Sequence, residues 1–292
     1  MSQGTYYVPE QSRWPILASI ALFLMAFGAA NLMNSLGQEA GSGLYFLLSG
    51  TALMLMIMFG WFRHVVIESM KGLYSAQMDR SFRWGMSWFI FSEVMFFAAF
   101  FGALFYIRVF AVPWLGGEGD KGVSQMLWEG FTPAWPLLSN PDSALFPPPS
   151  NIIDPWHLPL LNTIILIASS FTLTLAHHAL KRDQRKSLIL WHLLTVILGL
   201  IFLALQAAEY VEAYEELGLT LQSGIYGSTF FILTGFHGAH VTLGTVMLII
   251  IWLRVLKGHF SPQQHFGYEA VAWYWHFVDV VWIGLFLFVY VF

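Results

Sequence analysis

Seven stretches of this sequence are long and apolar enough to cross a bilayer, and no other feature limits its fold so tightly. A spanning helix needs about 20 mostly apolar residues. The windows run roughly over Ile16–Leu36, Leu44–Phe62, Trp84–Ile107, Leu158–Leu180, Leu188–Val211, Ile225–Leu253 and Tyr268–Phe292. Segments in lipid must satisfy their own backbone hydrogen bonds, and uninterrupted apolar runs of this length do so as helices. Composition agrees. Of the 292 residues 57% are hydrophobic and only 10% charged, against about 25% charged in an average soluble domain. The expectation is an all-α membrane protein with seven transmembrane helices, forming one membrane domain over residues 1–292.

Basic residues predict the orientation, because Lys and Arg gather on the cytoplasmic side. With the N-terminus cytoplasmic, that side receives Arg13, Arg63, Lys71, Arg80, Arg83, Lys181, Arg182, Arg185, Lys186, Arg254 and Lys257, which is 11 of the 13 basic residues. The C-terminus is then external. So is the connector Ala111–His157, which holds eight prolines and reads as an ordered external loop. The opening "MSQGTYYVPEQSRWP" is polar and does not resemble a cleaved signal peptide. A net charge of -4 points to neither a nucleic-acid partner nor a polybasic tether, and the lack of cysteine excludes disulfides, thiolate metal sites and cysteine nucleophiles.

The polar residues inside these windows are the candidates for function. Glu93 lies about ten residues into the third window, roughly 15 Å deep at 1.5 Å per residue. Its neighbours at helical spacing are Phe89, Ile90, Phe96 and Phe97, so its own helix offers no counter-charge. Carboxylates inside a membrane are expensive and often functional. Two readings stand: a proton-relay or gating acid, and a protonated glutamate bonded to a neighbouring helix.

His237 and His240 stand three apart on the sixth window, and His276 and Asp279 repeat that spacing on the seventh. Residues so spaced share a helix face. A metal site is the sharper reading, but zinc wants three good ligands with outer support, and no HExxH occurs. A haem site would ask for histidines at two depths on facing helices. The favoured expectation is a buried polar network across helices with no metal.

"HHALKRDQRK" (177–186) and "RVLKGHF" (254–260) are basic ends of windows four and six. They serve topology, or Arg254 and His259 hold a phospholipid headgroup. Trp61 and Arg63 are expected to supply an opposing wall, with Glu68 just beyond. The acidic cluster Glu209, Glu212, Glu215 and Glu216 reads most simply as an exposed helix end. Neither GxSxG nor a phosphate-cradling glycine loop is found, so no catalytic residue is assigned.

Five blocks, "FRWGMSWFIFSEVMFF", "PLLNTIILIASSFTLTLAHHAL", "LQAAEYVEA", "GIYGSTFFILTGFHGAHVTLGT" and "QHFGYEAVAWYWHFVDVVW", resemble cytochrome c oxidase subunit III in order along the chain. The resemblance implies helices one and two set apart from three to seven by a V-shaped cleft that holds phospholipids. It implies no cofactor in this chain, with haem and copper in subunits I and II and contact mainly with subunit I. Implied roles are support of proton uptake, an oxygen route, and protection of a complex fed by cytochrome c against turnover inactivation. Glu93 falls on the family's membrane glutamate. Trp61, Arg63, Glu68, Arg254 and His259 fall on positions associated with lipid.

Two departures stand out. Ile67 replaces a basic residue common before the Glu-Ser of the second connector. The long Pro-rich loop resembles bacterial members, which implies a bacterial inner (plasma) membrane. The runner-up within the superfamily is subunit III of a quinol-oxidising relative, which resembles only the last five helices. A stand-alone channel or transporter is the reading from another class, and the lack of repeats or of a polar line along any span argues against it.

Overall fold

The computed structural model describes residues 11–35 and 41–292. The opening decapeptide lies outside the described residues, as do the last residue of the first expected window and the four after it. Seven long helices appear among the described residues, each long and apolar enough to cross a membrane, and no strand accompanies them. They are α1 Trp14–Asn34, α2 Gly43–Met70, α3 Ala76–Tyr106, α4 Leu158–Lys181, α5 Arg185–Glu215, α6 Ile225–Leu256 and α7 Phe266–Leu285. Proline opens α1 (Pro15) and α4 (Pro159), where its missing N–H costs no intrahelical bond.

Several helices outrun their apolar windows. α2 continues past Phe62 to Met70, and α3 begins at Ala76, eight residues before Trp84. Those extra turns keep helical backbone beyond the windows; His64 Nε2 and Glu68 Oε1 face each other at 3.6 Å one turn apart. α3 likewise runs on through a wide π turn at Ile107–Ala111 and a further turn at Val112–Leu115, so the Pro-rich connector starts after Leu115 rather than at Ala111. A single 3-10 stretch, Gly122–Leu127, interrupts that loop.

The chain divides into two compact units, Met1–Phe82 and Arg83–Phe292. In the first, α1 and α2 pack backbone to backbone. A Cβ at Gly50 would come within 2.7 Å of Met25 N, and one at Gly43 within 2.6 Å of Leu32 N. Small residues at such crossings are the usual way to bring helices together in lipid, where packing replaces hydrophobic driving force.

The second unit centres on α7. Trp275 and Trp282 are fully buried, with Tyr268 and Tyr274 beside them. Trp275 is clamped by glycines from two helices: a Cβ at Gly199 of α5 or Gly244 of α6 would lie 2.9 Å from its ring. Its Nε1 donates to Ser169 Oγ of α4 at 2.8 Å, and Trp282 Nε1 donates to Thr163 Oγ1 at 3.0 Å. Beyond α7 the chain widens into a π-helical segment, Phe286–Val291. There Arg108 of the α3 extension donates to the carbonyls of Phe288 and Phe292 and lies 5.4 Å over the Trp135 ring.

Candidate functional site

Glu93 finds its partner on another helix. Its Oε2 lies 2.8 Å from Nε2 of His240, one turn past Phe236 on α6. The other ring nitrogen, Nδ1, donates to the Phe236 carbonyl at 2.6 Å, so it carries a proton. One further proton is therefore shared between Glu93 and His240: a carboxylic acid donating to neutral imidazole, or an imidazolium donating to carboxylate. Around the pair sit Phe97 at 5.0 Å, Phe96 at 5.8 Å and Tyr274 at 6.5 Å from the imidazole centre. Tyr274 Oη also donates to the His240 carbonyl at 3.3 Å. Chemically the pair can hold a proton in an aromatic shell or bind α3 to α6.

The other expected members of the polar network go to separate places. His237, fully buried, donates from Nε2 to the Val278 carbonyl at 3.0 Å, and its Nδ1 has no partner among the described residues. His276 Nε2 lies 3.4 Å from Thr174 Oγ1. Asp279 is buried, with Oδ1 unpaired among the described residues. His276 thus turns to α4, where the indoles of Trp275 and Trp282 also bond.

The five lipid candidates divide between the units. In the first, Trp61 and Arg63 are exposed near the end of α2, while half-buried Glu68 accepts from Tyr74 Oη at 2.8 Å. In the second, Arg254 lies with its guanidinium 4.3 Å over the Phe260 ring. Its Nε and His259 Nδ1 are buried without hydrogen-bond partners among the described residues. His259 follows α6, and its pKa is pushed down by burial first, then by the cations Arg254 and Lys257. An unpaired guanidinium N–H with a second cation close by is an arrangement an anion would complete.

Sequence reasoning misplaced Glu209. Far from lying on an exposed end, it is fully buried, accepting from Tyr290 Oη at 2.6 Å and Gln206 Nε2 at 3.1 Å on Oε1. The signal was present in the phase of the helix. The buried stripe of α5 runs Leu188, His192, Thr195, Val196, Gly199, Phe202, Gln206, Glu209 and Ala213, at steps of three and four, whereas Glu215 and Glu216 fall on the exposed face. The same stripe carries His192, fully buried, which meets Tyr268 Oη at 3.0 Å through Nδ1 and the Leu248 carbonyl at 2.9 Å through Nε2.

Comparison with known proteins decides the family. Residues 4–122 and 140–292 match the profile of "Cytochrome c oxidase subunit III". The chain belongs to that family. It is 40% identical over 288 residues to "Cytochrome c oxidase subunit 3" of Latimeria chalumnae, covering 98% of this chain and 96% of that protein. The proteins of the same name from Scyliorhinus canicula and Squalus acanthias are 39% and 38% identical over 286 residues, with the same 98% and 96% coverage. Membership makes the chain an accessory subunit of a cytochrome c oxidase complex, and its seven apolar helices make it a multi-pass membrane protein. The match passes over residues 123–139, inside the Pro-rich loop, so the extra length expected there falls on that segment.

Proposed function

We propose that this chain is a colourless, non-catalytic subunit of a proton-pumping oxidase that takes electrons from cytochrome c. It packs chiefly on subunit I, with subunit II nearby, and haem and copper reside in those partners. It holds structural phospholipids through Trp61, Arg63, Glu68, Arg254 and His259, and it supports proton uptake, oxygen access and resistance to inactivation during turnover. The N-terminus is cytoplasmic and the C-terminus external, in a bacterial plasma membrane.

Family membership over nearly the whole chain is the observation that carries this reading. Supporting it, several buried polar residues of the second unit, among them Glu93, His192, His237 and His240, bond between helices. The Arg254 Nε–H left without a partner among the described residues suits a phosphate. The bacterial placement rests on the resemblance of the long Pro-rich loop to bacterial members.

The test is an optical spectrum, with subunit identification, of what co-purifies with the chain in mild detergent. Haem and copper in the complex, with this chain colourless after dissociation, is the expected result. A chain that purifies alone, or that carries its own chromophore, overturns the reading.

A further inference from the structure

We infer that His177, His265 and Glu269 form a three-ligand site for a zinc-class divalent cation, where the last turn of α4 meets the first turn of α7. Each offers one ligand atom, and these atoms all lie within 4.8 Å of one another. They come from separate pieces of chain. His177 stands just before the last turn of α4, His265 immediately precedes α7, and Glu269 follows one turn later on the same face, its N–H bonded to the His265 carbonyl.

The two imidazoles are prepared in different ways. His265 donates from Nδ1 to the Ser261 carbonyl at 3.2 Å, which places the proton there and leaves the Nε2 lone pair available. A metal-bound histidine is usually oriented in this way by its other nitrogen. His177 Nε2 is buried and has no hydrogen-bond partner among the described residues. A nitrogen in that state costs free energy until something occupies it. The rings pack at 5.4 Å, and Tyr268 holds the far side of His177 at 5.6 Å.

The donor set selects the ion. Two imidazoles and one carboxylate suit zinc, copper or nickel, whereas magnesium and calcium want oxygen alone. At metal–nitrogen distances of about 2.0–2.1 Å, neighbouring ligands in a tetrahedron sit roughly 3.3 Å apart. The cluster must therefore draw in from its widest spacing of 4.8 Å to take the ion. Three protein ligands leave a fourth position for water.

The surrounding charges oppose a tight site. Arg83 Nη1 lies 2.5 Å from Glu269 Oε2, and Lys181 and His178 both lie near His177. A bound cation competes with Arg83 for Glu269, so the site exchanges its ion and responds to metal supply. The sequence favours a polar network over a metal at His237, His240, His276 and Asp279. It does not bring His177 and His265 together, because folding alone joins them.

The experiment uses the complex that contains this chain, stripped with EDTA, dialysed and titrated with zinc sulfate. Bound zinc is counted by mass spectrometry, and its ligands are read at the zinc K-edge. Wild type is expected to hold one zinc more than His265→Ala, with imidazole scattering in the first shell. His265→Ala and His177→Gln should each weaken that zinc by at least about tenfold, the scale on which even outer-shell changes act. Equal zinc content and affinity in the variants, or an oxygen-only shell in wild type, overturns the assignment. Should a variant fail to assemble, wild type still decides. Zinc should shield His177 and His265 from diethyl pyrocarbonate, and unchanged modification refutes the site.

Discussion

Glu93 shows what a single residue owes to its surroundings. Its depth and apolar neighbours are plain in the sequence, but its partner His240 stands 147 positions away and becomes a neighbour only through packing of α3 on α6. Glu209 is the opposite case, since its burial could be read from the phase of α5 alone. For Glu93, the geometry separates two substitutions. Glu93→Gln keeps a donor facing His240 Nε2, so assembly and steady turnover are expected to stay nearly unchanged, and a large loss of proton pumping would show that the acid itself moves protons. Glu93→Leu leaves the imidazole nitrogen without a partner in an aromatic shell, a penalty of about 1–3 kcal/mol. That should lower the thermal midpoint of the chain by a few °C, on the order of 2–4 °C per kcal/mol for a chain of this size.

At the scale of elements, the helices were legible and their packing less so. Apolar windows located all seven spans, because lipid leaves few alternatives. They could not locate the ends of α2 and α3, because a helix need not stop where its bilayer-spanning stretch does. Which glycines pack tightly is decided by neighbours that only the fold supplies. Gly199 and Gly244 clamp Trp275, while Gly102 has nothing within 4 Å of an added Cβ. The pair makes a contrast that can be measured. Gly244→Ala forces a methyl within 2.9 Å of a buried indole and should destabilise by about 1–3 kcal/mol, as overpacking does. Gly102→Ala should be neutral or stabilising by up to about 1 kcal/mol, because alanine loses less entropy in a helix. Thermal unfolding of the two variants in detergent checks both signs. Equal destabilisation would mean that Gly102 faces a neighbouring subunit rather than lipid.

At the scale of the whole molecule, burial is unevenly shared. The most apolar window of α7 is 56% buried, but those of α1 and α3 only 11%. Large side chains such as Phe23, Phe59, Trp88 and Phe91 therefore remain exposed, which requires lipid or partner chains around them. The sequence could announce that need, but the donors that would hold a particular lipid emerge only where α6 ends. Arg254 lies against Phe260 with Nε unpaired, beside His259. Replacing it as Arg254→Gln removes the guanidinium that would meet a phosphate, so native mass spectrometry of the complex should find one tightly held phospholipid fewer. Arg254→Lys keeps charge but not the planar fork, and should hold the lipid less firmly than wild type. The pH dependence follows from the neighbours. Burial, Arg254 and Lys257 hold the His259 pKa down, and a bound phosphate offsets those two cations and makes protonation easier. A base whose pKa rises on binding strengthens that binding as pH falls, so lipid retention should increase as pH falls through and below the ordinary histidine range near 6.5. Retention that is flat with pH, together with an unchanged lipid count in Arg254→Gln, would move the headgroup site away from the end of α6 and leave Arg254 a topological charge.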